Sequence, residues 1–262
     1  MRVGRHELDE LCGIAETASR EIMAVYSGAI ESWTKADASP LTEADLLADA
    51  VIRRWLERAF PGVFILSEES CSSGPAQAET YFLVDPLDGT KEFLKRNGEF
   101  TVNIALIDKG DPIAGVVQAP ALDELFFSAR GVGAFKRSEG QTTNLRTTGR
   151  SHGEPLRVVA SRSHGGEALA AWLAKIGEPY SLVEAGSSLK FCRIAEGRAD
   201  VYPRPGPTSQ WDTAAAQAVL AEAGGVVLDS HGDSLRYGLD RPVLNPFFIA
   251  LAHPALRVPP LA

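Results

Sequence analysis

Apolar residues recur at three- and four-residue steps near the start of the chain: Leu8, Leu11, Ala15, Ala18, Ile22, Val25 and Tyr26. That spacing lays one stripe along a helix of about six turns. After the polar run KADASP, the pattern predicts a second helix from Thr42 to about Phe60. Leu47, Val51 and Trp55 form its apolar face, and Pro61-Gly62 ends it. Thr42-x-x-Asp45 reads as a capping box with aspartate in the place of the usual glutamate. Two short apolar runs follow. VFIL (63–66) ends in Ser67-Glu68-Glu69 and YFLV (81–84) ends at Asp85, so two buried strands each deliver acids at their C-terminal ends.

From Phe100 to Lys136 the pattern turns to alternating strands, TVNIALI, IAGVVQAP, ELFFSA and GAFKR. Turns at Lys109-Gly110-Asp111-Pro112 and Arg130-Gly131 make this an antiparallel meander. A polar segment, 138–153, comes next. Beyond it strands and helices alternate: LRVVAS, EALAAWLAKI, YSLVEA, SSLKFCRIAEG and ADVY. WDTAAAQAVLAEAGG (211–225) is the clearest helix, closed by Gly224-Gly225. The expected architecture is a two-lobed α/β (α+β) sandwich. An N-terminal α+β lobe covers residues 1–150, a C-terminal α/β lobe covers 151–262, and the site lies between them.

Composition narrows the classes. Of 262 residues, 45% are hydrophobic and 23% charged, as expected for a globular protein and not for a disordered chain. No apolar stretch approaches the roughly 20 residues of a membrane-spanning helix, and MRVGRHELDE lacks the apolar core of a signal peptide. Three separated cysteines, Cys12, Cys71 and Cys192, suit reduced thiols and a cytoplasmic location. The net charge of −8, with no long basic run, argues against nucleic acid as a partner. GVGAF is a lone G-x-G without a following helix, and a dinucleotide role is rejected for it.

The acids carry the candidate chemistry. Mg²⁺ prefers carboxylate and carbonyl oxygens, and Glu68, Asp85, Asp88 and Asp212 supply such a set if the fold joins them. In FLVDPLDGT (82–90), Pro86 interrupts the regular strand so that both aspartates can face one cavity, with the Leu87 carbonyl as a further ligand. Gly89 permits close approach, and the N–H groups of Gly89 and Thr90 form an anion cradle if they open a helix. Taken alone, the nonapeptide is equally well a turn and helix cap, Glu68-Glu69 a solvated pair, and Asp212 an N-cap. Acids three apart do not match the alternating acids of an EF-hand loop, and Leu87 stands where a D-x-D phosphatase needs its second acid.

Taken in order, LSEES, DPLDGT and WD near a helix start resemble the signature of the inositol monophosphatase superfamily of metal-dependent, lithium-sensitive phosphatases. KADASPLTEAD, VDPLDGTKEFLKRNGEFTVNIALI, VVASRSH, GSSLKFCRIAEGRADVYPR and GPTSQWDTAAAQAVL extend the likeness over most of the chain. Thr90-Lys91-Glu92-Phe93, where inositol phosphatases usually have T-N-F, is more similar to the 3′(2′),5′-bisphosphate nucleotidase branch. The resemblance implies a layered αβαβα sandwich in which two or three Mg²⁺ ions are held by Glu68, Asp85, Asp88, Asp212 and the Leu87 carbonyl. It implies that Glu69 sits behind Glu68, that Thr90 orients the attacking water with Asp45 as its base, and that Gly89 and Thr90 hold the phosphate. Ser161, His164, Gly186 and Lys190 match nucleotide-contacting positions.

The implied reaction is hydrolysis of the 3′-phosphate of adenosine 3′,5′-bisphosphate to AMP and phosphate in sulfate assimilation, with 3′-phosphoadenylyl sulfate as a further substrate. Inositol monophosphate and fructose 1,6-bisphosphate are the alternatives at the same metal site. A non-catalytic metal or nucleotide sensor is the other class. The nucleotidase branch implies a monomer, the inositol phosphatases a homodimer, and relatives a peripheral inner-membrane association that no amphipathic basic helix in this sequence supports. Two departures stand out: Pro205 replaces the phenylalanine of Y-P-R-F-G-P-T, and Gln210 precedes Trp211 where an acid is frequent.

Overall fold

The computed structural model describes residues 1–35, 40–70, 78–150, 153–160 and 166–261. The chain begins with helix α1 (Arg5–Ser27), then a small antiparallel hairpin of β1 (Ser32–Thr34) and β2 (Pro40–Thr42), then α2 (Glu43–Ala59). Strands β3 (Phe64–Ser67) and β4 (Thr80–Asp88) follow, with the short helix α3 (Thr90–Leu94) behind them. The meander comprises β5 (Thr101–Asp108), β6 (Asp111–Ala119), β7 (Glu124–Ala129), β8 (Gly133–Ser138) and β9 (Gln141–Asn144). The rest of the chain is β10 (Leu156–Ala160), α4 (Gly166–Leu173), β11 (Tyr180–Glu184), α5 (Leu189–Ala195), β12 (Val201–Arg204), α6 (Trp211–Glu222), β13 (Val226–Asp229) and β14 (Phe248–Leu251).

Two sheets result. Strands β3 to β9 lie side by side in sequence order, parallel only between β3 and β4, and the second sheet runs β11-β10-β12-β14-β13. Side chains alternate across a strand, so each sheet offers two faces to cover. On one face of the first sheet, Leu8, Leu11, Ile22, Ile52 and Leu56 of α1 and α2 pack on Phe82, Ile104 and Phe127. Between the sheets, α5 and α6 bury Phe191, Ala214 and Val219 against Leu83, Val117 and Phe248. Beyond the second sheet, Leu169 and Trp172 of α4 pack on Val158 and Ile249. The layers are therefore αβαβα, as expected. Alanines in α6 permit that sandwiching: a Cβ on Gly115 of β6 would stand 2.2 Å from the Ala215 carbonyl oxygen.

Several expectations need correction. The buried stripe of α2 is Ala44, Ala48, Ile52 and Leu56, while Leu47 and Trp55 face solvent at 37% and 39% exposure. Both stripes satisfy helical spacing. The inner one wins because small alanines let α2 lie close to its neighbours. Strand β4 does not stop at Asp85: it runs to Asp88 with a register shift that pairs Asp85 with Asn103 and Asp88 with Thr101. Pro86 therefore makes a bulge instead of an end. The polar segment 138–153 contains β9, whose four residues are all exposed, so no apolar alternation marked it. Helix α4 closes at Leu173, short of Ile176, and β1, β2, β13 and β14 had not been assigned from the pattern.

Candidate active site

The bulge in β4 does what its sequence requires. The Leu87 N–H donates to Asp85 Oδ1 at 3.1 Å, which folds the two-aspartate segment back on itself. Gly89 follows in the left-handed region, φ +90°, and caps α3. Only glycine fits there, because an added Cβ would lie 2.2 Å from Ser187 Oγ. The turn presents Asp85, Asp88 and Thr90 to a cleft of about 280 Å³. The same cleft is lined by Glu68 at the end of β3, by Asp212 in the first turn of α6, and by Lys190, Tyr202 and Arg204 from the second sheet and its helix.

Carboxylate oxygens of Glu68, Asp85 and Asp212 lie within 4.8 Å of one another. Burial, followed by the charges of Glu68, Asp88 and Asp212, pushes the Asp85 carboxyl well above its ordinary range. Burial and then Asp88 do the same to Asp212. Asp88 rises to about 6, chiefly through burial, although Lys190 and the Ser188 N–H oppose the rise. Such crowding is costly unless a cation joins it. An all-oxygen, mostly carboxylate donor set suits a hard divalent ion, so these residues fit the metal that the sequence implied.

Each acid has a defined hold. Asp88 Oδ2 accepts the Ser188 N–H at 2.6 Å and the Asn103 side-chain amide at 3.4 Å. Asp212 Oδ2 accepts the Ser209 N–H at 2.8 Å, so the aspartate sits inside the first turn of α6 and Gln210 is the cap residue. Asp45 serves two ends. Its Oδ2 accepts the Thr42 N–H at 2.7 Å, completing the capping box, and its Oδ1 accepts the Thr90 hydroxyl at 3.3 Å. One carboxylate therefore both caps α2 and holds Thr90. The Thr90 hydroxyl also lies 3.4 Å from the Leu87 carbonyl oxygen.

The sequence reading had missed Lys35. Its ammonium lies 2.7 Å from Glu68 Oε1 and 2.5 Å from Glu69 Oε1. Glu69 thus stands beside Glu68, and its carboxyl rises to about 7 because burial outweighs that ion pair. Arg204 on the cleft wall, and Ser187 and Ser188 behind Asp88, were also missed. Nothing in local spacing distinguishes such residues from ordinary surface cations and turn serines. Lys190 does line the cleft; burial lowers it to about 8, and it donates to the Ser187 carbonyl at 2.6 Å. Gly186 is not part of the lining: its Cβ position is 2.8 Å from the Glu99 carbonyl oxygen, which gives it a packing role. Ser161 and His164 lie outside the described residues.

The departures also find places. The Gln210 amide donates to the carbonyls of Gly238 and Pro242 at 3.0 Å each, and its oxygen accepts the Gly238 N–H at 2.9 Å. An acid there would forfeit both donations, so glutamine locks the C-terminal loop to the start of α6. Arg204, next to Pro205, donates to the Pro207 carbonyl at 2.9 Å.

Known proteins are similar to this chain in sequence and fold. The model of the inositol monophosphatase family matches residues 5–256. The 3′(2′),5′-bisphosphate nucleotidase CysQ of Escherichia coli O157:H7 is 47% identical over 92% of this chain and 98% of its own. The same-named protein of Buchnera aphidicola is 42% identical, with 95% of each chain covered. A crystal structure of CysQ from Bacteroides thetaiotaomicron superposes with a TM-score of 0.84 at 36% identity, over 94% of this chain and 97% of that one. By sequence, by layer order and by the acids at the cleft, this chain belongs to the inositol monophosphatase family.

Proposed function

We propose that the protein is a Mg²⁺-dependent 3′(2′),5′-bisphosphate nucleotidase that hydrolyses the 3′-phosphate of adenosine 3′,5′-bisphosphate to AMP and phosphate. The observation that carries this reading is the meeting of Glu68, Asp85 and Asp212 in a cleft whose lining also holds cations, Lys190 and Arg204 among them. Relatives named 3′(2′),5′-bisphosphate nucleotidase, 47% and 42% identical over nearly their whole length, support it. Inositol monophosphate is not favoured, because its single phosphate would leave Lys190 and Arg204 without an anionic partner; fructose 1,6-bisphosphate carries two phosphates, and the nucleotidase names of the relatives favour the nucleotide over it.

Glu68, Asp85, Asp88, Asp212 and the Leu87 carbonyl would hold two or three divalent ions. When bound, such ions neutralise the phosphate, acidify a water and stabilise the leaving oxygen. The protein's own contribution is placement. Thr90, held by Asp45, orients the attacking water and passes its proton towards that carboxylate. The N–H groups of Gly89 and Thr90 face the scissile phosphate. Lys190 and Arg204 receive the second phosphate of the nucleotide as point charge and fork. The chain would divide near residue 150, with Asp212 contributed from the second lobe. No described helix is long and apolar enough to cross a membrane. The test is phosphate release from adenosine 3′,5′-bisphosphate, inositol 1-phosphate and fructose 1,6-bisphosphate, side by side with Mg²⁺ and with chelator. Fastest turnover of a sugar or inositol phosphate, or full turnover in chelator, would refute the reading.

A further inference from the structure

Helix α2 reaches towards the cleft from more than one turn. Asp45, in its first turn, accepts the Thr90 hydroxyl. Asp49 stands four residues later on the same face of the helix. It is buried, at 8% exposure, and lies too far inside α2 to act as an N-cap. Aspartate is a poor residue for a helix interior, and burying a carboxylate is costly without a partner. Packing does not call for it either, since Ala44, Ala48, Ile52 and Leu56 already seat α2 on the first sheet.

Its partner supplies the reason. Ser67, the fully buried last residue of β3, donates its hydroxyl to Asp49 Oδ1 at 2.5 Å. Glu68 comes next, and its N–H donates to the Val84 carbonyl at 3.1 Å, so the pairing with β4 continues through it. Successive side chains of an extended strand leave opposite faces. Ile65 packs with α1 and α2, and Leu66 packs between the sheets. Ser67 therefore falls on the side of α2 and Glu68 on the side of the cleft. A twist of this strand end that turned Ser67 off Asp49 would also turn Glu68 away from Asp85 and Asp212. Arg53, four residues after Asp49, donates from Nη1 to Ser70 Oγ at 3.0 Å. Helix α2 thus grips the chain on both sides of Glu68-Glu69, the pair that Lys35 contacts.

We infer that Asp49 is a positioning residue for Glu68: through Ser67 it fixes the end of β3 so that the Glu68 carboxylate stands where it can share a cation with Asp85 and Asp212. The inference rests on the metal reading of these acids. One rigid helix then aligns two parts of the site, because Asp45 and Asp49 are about 6 Å apart along its axis. The first holds Thr90 and the second holds the strand that carries Glu68. Partners standing one step behind metal ligands typically change metal affinity by about 10- to 100-fold.

Mg²⁺ alone, titrated into the chelator-stripped protein and followed by the melting temperature, reads stability without the ion and apparent affinity for it in one assay. Asp49→Ala should weaken that affinity by about tenfold or more. Ser67→Ala, which removes only a hydroxyl, should weaken it by a similar factor, and the double variant no further, because both changes break one contact. Asp49→Asn keeps an acceptor oxygen and should restore the affinity to within about threefold of the parent. In turnover, the loss should appear in the Mg²⁺ concentration giving half the maximal rate, with kcat recovered at saturating ion. Lowered melting temperatures with parental Mg²⁺ affinity in both alanine variants would make Asp49 a purely structural residue and overturn the inference. An asparagine variant no better than alanine would overturn it too. A parent whose melting temperature ignores Mg²⁺ would instead refute the metal reading, and this inference with it.

Discussion

Two buried clusters of charge in this molecule answer the same problem in opposite ways. Between the sheets, Lys136 contacts Glu124 at 2.5 Å and Glu196 at 2.8 Å, while Arg193 contacts the same two acids at 2.8 and 2.7 Å. Two cations meet two anions. Burial acts to raise the Glu124 carboxyl, but hydrogen bonds from Arg193 and Lys136 outweigh it and hold it below its ordinary value. At the cleft, burial and like charge act together on Asp85 and Asp212, and both rise well above theirs. Burial is common to the two sites, so it does not explain the difference. What differs is a fixed counter-charge: the first cluster carries its own, and the second leaves a place for one from solution.

Removing a charge should therefore have opposite consequences at the two sites. Asp85→Asn keeps the acceptor oxygen for the Leu87 N–H but removes one carboxylate from the set, and turnover should fall by about 10³-fold or more, about 4 kcal/mol of barrier. Its chelated form should melt no lower than the chelated parent, because repulsion is relieved. A variant with parental turnover would break the comparison at its functional end. Next in size is the cation itself. At about 100 times its dissociation constant Mg²⁺ should stabilise the fold by about 2.7 kcal/mol, measured as the shift in denaturant midpoint. No shift would mean that the acids are crowded without a partner. Glu124→Gln should cost about 2 kcal/mol, since it leaves Lys136 and Arg193 to share Glu196 as their one remaining acid in the cluster, while leaving kcat close to parental. Loss of activity without loss of stability would reverse the assigned roles.

The contrast also explains what the sequence could disclose. Local rules found α1, α6 and the meander, because each rests on spacing within one segment, whereas the αβαβα order came from the family resemblance. They found the acids too, since Asp85, Asp88 and Gly89 fall within one strand and turn. The Glu124, Lys136, Arg193 and Glu196 network escaped, as did Lys35 and Arg204, because their partners are distant in sequence and single charges carry no periodic mark. In α2 the failure was different. Leu47-Val51-Trp55 and Ala48-Ile52-Leu56 are equally regular, and the more hydrophobic stripe was read as core. Close packing chose the smaller one, and a face defined by what it touches is not written in its own helix.

The finest division between the clusters is by pH, with the metal removed. Asp85, Asp88 and Asp212 have folded-state values raised above the roughly 4 of an unfolded aspartate, so the folded protein binds more protons than the unfolded one. Stability from a raised acid is fully present below the unfolded value and is lost as pH climbs through the folded one, which for Asp88 is about 6. Glu124 has the opposite sign: its contribution is present above the unfolded value and lost only as pH falls through a depressed one. Between pH 5 and 7 the Glu124 contribution is therefore constant while Asp88 titrates. In chelator, denaturation should show stability declining with rising pH by roughly 1 kcal/mol per unit over that window, the slope of about one proton. Saturating Mg²⁺ should flatten or invert that slope, because a bound cation lowers the same carboxyls, and Asp85→Asn should reduce it without Mg²⁺. A chelated protein whose stability rises from pH 5 to 7 would show that the cleft acids are as well compensated as the Glu124 network, and the distinction between the two clusters would fall.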